Sequence, residues 1–258
     1  MKIGFFGAGN MASAIVGGAV SSGNFKAEDI SVYDIDNTKA RLLSDEFSVC
    51  VSETPDSLID FADAVVLAVK PNIFPTLLPS ISKKLRENNS LVVSIAAGKT
   101  TEFIEKLLGI MPNINATVLE AMSAYCCSES VTDDQKEFVN KLCSSFGKVM
   151  PLSESYFPLF CSIAGCAPAY AYMFIDSLAR SAVKNGMNKS VALEIAAQTV
   201  LGSAKKILES DEHPWELIDK VCSPGGTTIE GIVSLQKDGF ESAVCNAVDA
   251  ALQKDKKV

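Results

Sequence analysis

Histidine is almost absent from this sequence, since His213 is the single one among 258 residues. The eight cysteines never stand in a Cys-x-x-Cys spacing, and none lies at metal-ligand spacing from His213. We therefore predict no metal ion and no catalytic grouping of the Ser-His-Asp or Cys-His kind. The chain also lacks the pattern of a secretory signal. We expect a cytoplasmic protein whose thiols are reduced, buried and apolar in character.

Positive charge is scarce as well. The 23 Lys and Arg residues face 31 Asp and Glu residues, which gives a net charge of −8. An acidic chain repels phosphate backbones, so we expect no nucleic-acid partner. Residues 157–175 carry no formal charge and approach membrane-spanning length, but Pro158, Gly165 and Pro168 interrupt them. We expect this segment to be helix buried in a core or a subunit interface rather than in a membrane.

Short apolar runs alternate with helical patterns in the first half of the chain, which predicts βαβ units around a parallel sheet. The predicted strands are Lys2–Phe6, Ile30–Tyr33, Ser48–Val51, Ala64–Val69 and Leu91–Ile95. After Pro151 the strand signal ends. Helices are predicted over 155–185, 189–209, 213–222, 227–237 and 239–254.

A glycine-rich turn joins the first strand to the first helix. Gly7, Gly9 and Ala12 fit the G-x-G-x-x-G/A pattern, in which the free N–H groups of a helix start face a pyrophosphate. Asp34 ends the second predicted strand, where a carboxylate accepts hydrogen bonds from an adenosine ribose; this position favours NADH over NADPH. Lys39 and Arg41 could offset that preference. Alternatively, Asp34 or Asp36 caps the next helix.

These patterns predict an α/β, doubly wound Rossmann-type domain over residues 1–152 and an all-α domain over residues 153–258. The ends of the later strands add further candidates, because ligands of such sheets collect at the carboxyl edge. We expect the following residues to bind the cofactor: Phe6, Gly7, Ala8, Gly9, Asn10, Met11, Asp34, Ala68, Val69, Lys70, Pro71, Ala96 and Ala97.

A second candidate loop, residues 223–230, lies between two helical stretches. Gly225 and Gly226 permit left-handed backbone, and Thr227 with Glu230 fits a capping box for the next helix. The loop is either only a well-capped turn or a small-carboxylate site with adjacent hydroxyls.

Several segments together resemble the pyrroline-5-carboxylate reductase family over the whole chain. They are Gly4–Met11, Ala68–Pro71, Ser94–Gly98, Met111–Asn113, Pro168–Tyr170, Ala196–Gly202, His213–Pro214 and Val221–Gly231. The resemblance implies reduction of 1-pyrroline-5-carboxylate to L-proline with NADPH or NADH. It also implies a helical C-terminal domain that binds substrate and forms a homodimer, and possible rings of dimers. The chain departs from the family pattern at residues 114–115, at 165–167 and at Lys220.

The resemblance also assigns roles by position. Thr228 would be catalytic and hydrogen-bond the ring nitrogen, and the backbone around Gly226 and Thr227 would hold the carboxylate. Glu154 would lie near the substrate amine, and Val221 and Ser223 would line the same pocket. Asn113, in a segment that matches the family, would bind the cofactor near the nicotinamide. The alternatives are a related Rossmann reductase for another imine or a keto or hydroxy acid, and a non-catalytic nicotinamide-binding sensor.

Overall fold

The computed structural model describes residues 1–95 and 107–255, and within them a single sheet of eight strands. Their order across the sheet is β3-β2-β1-β4-β5-β6-β7-β8, and every neighbouring pair is parallel except β6 with β7. The strands are β1 Ile3–Phe6, β2 Ile30–Tyr33, β3 Cys50–Val51, β4 Ala64–Leu67, β5 Leu91–Ser94, β6 Leu107–Met111, β7 Ala121–Cys127 and β8 Gly147–Pro151.

Helices cover both faces of this sheet. Side chains alternate along a strand, so Phe5 of β1 packs into one apolar cluster and Phe6 into another on the opposite face. The helices around the sheet are α1 Asn10–Ser21, α2 Asn37–Phe47, α3 Pro55–Phe61, α4 Phe74–Glu87 and α5 Asp133–Ser144. The first cluster includes residues of α1, α2 and α5, and the second includes residues of α3 and α4. A mostly parallel sheet covered on both faces confirms the predicted doubly wound fold.

The rest of the described chain is helical. Its helices are α6 Phe157–Phe160, α7 Ala167–Lys184, α8 Lys189–Leu208, α9 Pro214–Val221, α10 Thr227–Lys237 and α11 Phe240–Asp255. The helical stretch predicted over 155–185 is confirmed as the helical run Glu154–Lys184, but the type of helix changes along it. A π-helical turn, Cys161–Gly165, separates α6 from α7, and Pro158 and Pro168 each lie in the first turn of their own helix, where no N–H is lost.

The chain divides into two compact units, Met1–Gly165 and Cys166–Lys254. Residues 153–165 thus belong to the first unit. Asn113 contributes to this, because its side-chain amide donates to the carbonyl of Ala164 at 3.0 Å. The domain boundary after residue 152 stays a prediction.

In the second unit, large apolar side chains remain on the surface of the single chain. Among the described residues of this unit, the buried hydrophobic ones are the small residues Ala179, Ala192 and Ala196. Inside the unit, the Tyr170 hydroxyl donates to the Ala247 carbonyl at 3.4 Å, and the Phe174 and Phe240 rings lie 5.9 Å apart. By length and composition alone, the helical run Glu154–Lys184 could cross a membrane. Only 6% of its apolar 18-residue stretch is buried within the single chain.

The expectation that the cysteines are buried is largely wrong. Cys143 is buried, but Cys50 and Cys245 are exposed and the other five are half-buried. Cys50 lies on the short edge strand β3, where no further strand covers it, and Cys245 lies on α11 in the poorly covered second unit. All eight lie within the described residues, and no disulfide joins them.

Candidate cofactor and substrate site

The glycine turn after β1 draws three strand ends together. The Gly7 N–H donates to the Tyr33 carbonyl at 2.8 Å, and the Ala68 N–H donates to the Phe6 carbonyl at 2.9 Å. Gly7 has φ of 105°, and a Cβ at this position would lie 2.7 Å from the Ala68 carbonyl oxygen. Only glycine fits this conformation and this close approach, so the turn is fixed where β1, β2 and β4 end.

Helix α1 begins without a side-chain cap. Gly9 is its N-cap residue, the first turn holds no acidic residue, and the first returning bond runs from the Ser13 N–H to the Gly9 carbonyl at 2.9 Å. By contrast, side chains cap α2, α3, α5, α8 and α9. A Cβ on Gly9 would meet nothing within 4 Å, so its surroundings are open. The exposed N–H donors and the helix dipole suit a pyrophosphate.

Asp34 is tied to this turn by both carboxylate oxygens. Its Oδ2 accepts the Ala8 N–H at 2.8 Å, and its Oδ1 accepts the Asp36 N–H at 2.9 Å. The capping alternative applies to Asp36 instead, because the Asp36 Oδ1 accepts the Thr38 N–H at the start of α2. Asp34 therefore lies beside the glycine turn, where the sequence pattern predicts the adenosine ribose.

The remaining cofactor candidates differ in what they present. Lys70 is exposed and makes no salt bridge with the described part of the chain; Pro71 after it opens a short 3₁₀ turn. Ala68 and Val69 are half-buried, as are Ala8 and Met11, whereas Asn10 is exposed. The Phe6 ring is in the core, packed edge-on to Tyr33, so only its backbone could face a ligand. Ala96 and Ala97 lie outside the described residues.

Asn113 has a structural task that the sequence did not reveal. Its side chain is 6% exposed; Nδ2 donates to Ala164, and Oδ1 accepts the Met122 N–H at 3.4 Å. The amide thus joins the end of β6, the start of β7 and the π-helical turn. Its part in cofactor binding stays a prediction.

The loop before α10 forms a helix start that, like that of α1, has a glycine N-cap and no side-chain cap. Gly225 has φ of 66°, and the Gly226 N–H donates to the Ser223 carbonyl at 3.0 Å. A Cβ on Gly226 would lie 2.4 Å from the Ser223 Oγ and 3.1 Å from the Ser223 carbonyl oxygen, so a larger residue there would require the Ser223 side chain to rotate. Thr227 and Thr228 are exposed residues of the first helical turn.

The capping box predicted for Thr227 and Glu230 is not formed. Gly226 is the N-cap residue of α10, and no side chain caps the helix. Thr227 already has helical backbone, so its hydroxyl is one position too late to reach the N–H groups that an N-cap side chain serves. The first N–H groups of α10 are consequently left for an anionic group such as a small carboxylate.

Glu154 lies in a 3₁₀ turn of the first unit and is half-buried. Burial and, next, the charge of Glu154 raise the pKa of the nearby Cys126 thiol to about 11. The candidate residues thus form two groups. Those around the glycine turn lie in the first unit together with Glu154, and Val221, Ser223, Gly226, Thr227 and Thr228 lie in the second.

An ion pair beside the second loop was not predicted. Lys220, a departure from the family pattern, bonds to Glu212 across the start of α9. Glu212 precedes Pro214 and lies outside the helix that contains Lys220. The two residues therefore lack the spacing of three or four residues that predicts an ion pair within one helix. Within the described residues, no group of three His, Cys, Asp or Glu side chains could hold a metal ion.

The fold and the glycine turn define a Rossmann-type dinucleotide-binding protein. Residues 2–98 match the family described as NADP oxidoreductase coenzyme F420-dependent, which places the chain among the oxidoreductases. Residues 154–258 match the family described as pyrroline-5-carboxylate reductase dimerisation. The chain is 39% identical to the pyrroline-5-carboxylate reductase of Escherichia coli, with 100% of this chain and 98% of the relative covered. It therefore belongs to the pyrroline-5-carboxylate reductase family.

Solved structures agree over the same length. A pyrroline-5-carboxylate reductase from Coxiella burnetii has a TM-score of 0.92 at 30% identity, covering 99% of this chain and 97% of that one. The Plasmodium falciparum pyrroline carboxylate reductase, solved with NADP bound, has a TM-score of 0.87 at 32% identity, covering 100% and 97%. The expected family resemblance and the expected NAD(P)H cofactor class are confirmed.

Proposed function

We propose that this chain reduces 1-pyrroline-5-carboxylate to L-proline by hydride transfer from NADPH or NADH, the last step of proline biosynthesis. The observation that carries the proposal is the end-to-end 39% identity to a pyrroline-5-carboxylate reductase. Two glycine-preceded helix starts without side-chain caps, at α1 and α10, support it, because the reaction needs one anion site for a dinucleotide and one for a carboxylate.

The first unit binds the cofactor in this proposal. The α1 N–H groups hold the pyrophosphate, Asp34 accepts from the adenosine ribose, and Lys70 approaches a ribose or phosphate. Residues 68–71, Ala96, Ala97 and Asn113 complete the cofactor contacts. The reduced nicotinamide supplies the hydride, and the protein supplies position, which is the main requirement for a protonated cyclic imine.

The second unit supplies the contacts to the five-membered ring. The backbone N–H groups at Gly226 and Thr227 hold the carboxylate. The Thr228 hydroxyl hydrogen-bonds the ring nitrogen and supports the amine that forms as the C=N bond becomes C–N. Val221 and Ser223 line the pocket. The family resemblance adds Glu154, a residue of the first unit, as a candidate contact of the amine.

The chain is an oligomer by its dimerisation family. We propose a homodimer, with rings of dimers as a larger assembly, in the cytoplasm and with neither nucleic acid nor membrane as a partner. The apolar surface of the second unit supports this assembly, since a partner subunit would cover it.

Replacing Thr228 tests the proposal most directly. Thr228→Ala should lower kcat roughly tenfold to hundredfold, because a hydrogen bond to a group that bears charge is lost. Cofactor affinity, measured by nucleotide titration without the imine, should stay unchanged. Thr228→Ser keeps a hydroxyl and should retain most of the turnover.

Oxidation of NADH and NADPH with 1-pyrroline-5-carboxylate separates the alternatives. Nucleotide binding without turnover of any imine or keto acid would indicate a sensor. Turnover of another imine or keto acid alone would indicate a different reductase. Near-normal turnover in Thr228→Ala would remove Thr228 from the mechanism.

A further inference from the structure

The Asp34 carboxylate at the end of β2 affects whether NADH or NADPH binds more tightly. We infer that this chain prefers NADH and that Asp34 is the residue that determines this preference. The inference rests on the proposed function only in that a nicotinamide dinucleotide must bind at the Gly7–Ala12 turn.

The Asp34 carboxylate is fixed in place by the protein backbone. The Ala8 and Asp36 N–H groups bond to different oxygens of it, at 2.8 and 2.9 Å. Rotation away from the ribose would leave both N–H groups without this acceptor. Each oxygen keeps a further lone pair, so the carboxylate can still accept a ribose hydroxyl.

The 2′-phosphate of NADPH is disfavoured beside this carboxylate. It brings negative charge and no donor towards a half-buried carboxylate that is anchored at both oxygens. Like charges at such a site repel more strongly than in bulk water, because the surroundings are less polarisable. The ribose 2′-hydroxyl of NADH instead donates to the same oxygen.

The neighbouring charges do not reverse this selection. Asp36 adds a second carboxylate two residues later, and the Lys39 Nζ already lies 3.6 Å from the Asp36 Oδ2. Arg41 is exposed and makes no salt bridge with the described residues. A 2′-phosphate would therefore have to order the Arg41 side chain and at the same time lie beside the fixed Asp34 carboxylate.

Binding of NADH and NADPH to the full-length protein, measured by titration calorimetry without the imine, tests the preference. We expect NADH to bind roughly tenfold more tightly or better, since a charge-assisted hydrogen bond is exchanged for a repulsion. The ratio of kcat/KM for the two nucleotides with 1-pyrroline-5-carboxylate should point the same way.

Two substitutions assign the effect to Asp34. Asp34→Asn removes the charge at nearly constant shape, and Asp34→Ser removes the carboxylate; both should bring the two dissociation constants closer. Asp45→Asn, an equal change of charge at an exposed position near the other end of α2, should leave the ratio as it is.

Equal or tighter binding of NADPH by the unaltered protein would overturn the inference while leaving the reductase proposal intact. An unchanged ratio in both Asp34 variants, or an equal change in Asp45→Asn, would overturn the assignment to Asp34. If the unaltered protein binds NADH more tightly than NADPH but does not reduce the imine, that result counts against the proposed reaction and not against the cofactor preference.

Discussion

Thiol environment differs sharply from one cysteine to the next in this chain. Burial raises the pKa of Cys143 to about 12, and burial together with Glu154 raises that of Cys126 to about 11. Cys50 is exposed on β3. Because the thiolate is the nucleophile, a raised pKa and poor access both slow alkylation.

We expect iodoacetamide at about pH 8 to modify Cys50 readily and to modify Cys126 and Cys143 at least roughly a hundredfold more slowly. Peptide mapping by mass spectrometry after timed exposure measures the three rates. The denatured protein is the control, since all eight thiols should then react. Equal rates at Cys143 and Cys50 in the folded protein would contradict the burial described for Cys143.

Helix α9 shows how the single histidine is used. The Nδ1 of His213 accepts the Trp215 N–H at 3.2 Å, and the Glu216 carboxylate accepts the His213 N–H at 3.1 Å. These two bonds form a capping box, with Pro214 at the first helical position. His213 therefore stabilises a helix start, as its position before Pro214 indicates.

His213→Ala should lower the free energy of unfolding by about 1 kcal/mol, because an N-cap acceptor is lost. His213→Asn should restore most of it, and both variants should keep the kcat of the unaltered protein. Urea unfolding at one fixed protein concentration and steady-state turnover are the measurements, since subunit association contributes to the stability. A large fall in kcat with unchanged stability would make His213 catalytic and the capping role secondary.

Sequence patterns predicted those elements that depend on interactions between residues adjacent in the chain. The apolar run of β1, the turn at Gly7 and the helix start at Gly9 follow from residues adjacent in sequence. The bonds of Asp34 to Ala8 and of Asn113 to Ala164 join residues far apart in the chain, so no pattern indicated them.

Two structural features were predicted wrongly or not at all because the residues near them give only weak signals. Strand β7 is rich in Ala, Ser, Met and Cys, which favour strands weakly, and it was not predicted. The α10 cap was misplaced by one residue, because the sequence shows that a helix starts near Gly226 but not which residue first adopts helical backbone.

At the scale of the whole molecule, the second unit is incomplete as a single chain. Met173 of α7, Leu201 of α8 and Leu208 of α8 are 73%, 58% and 69% exposed. Large apolar side chains exposed to this extent indicate a surface that a partner subunit covers, and the dimerisation family matches the same residues. Hydrophobic burial between subunits then contributes stability that one chain lacks.

Met173→Glu should weaken this association, because it places a charge on a surface that a partner subunit would dehydrate. We expect the dissociation constant of the oligomer to rise roughly tenfold or more, measured by sedimentation velocity over a dilution series. Leu42→Glu is the matched control, since Leu42 is 63% exposed on α2 of the first unit and should not affect assembly. If Met173→Glu assembles as tightly as the control, the exposed α7 face lies outside the interface and another part of the second unit must mediate assembly.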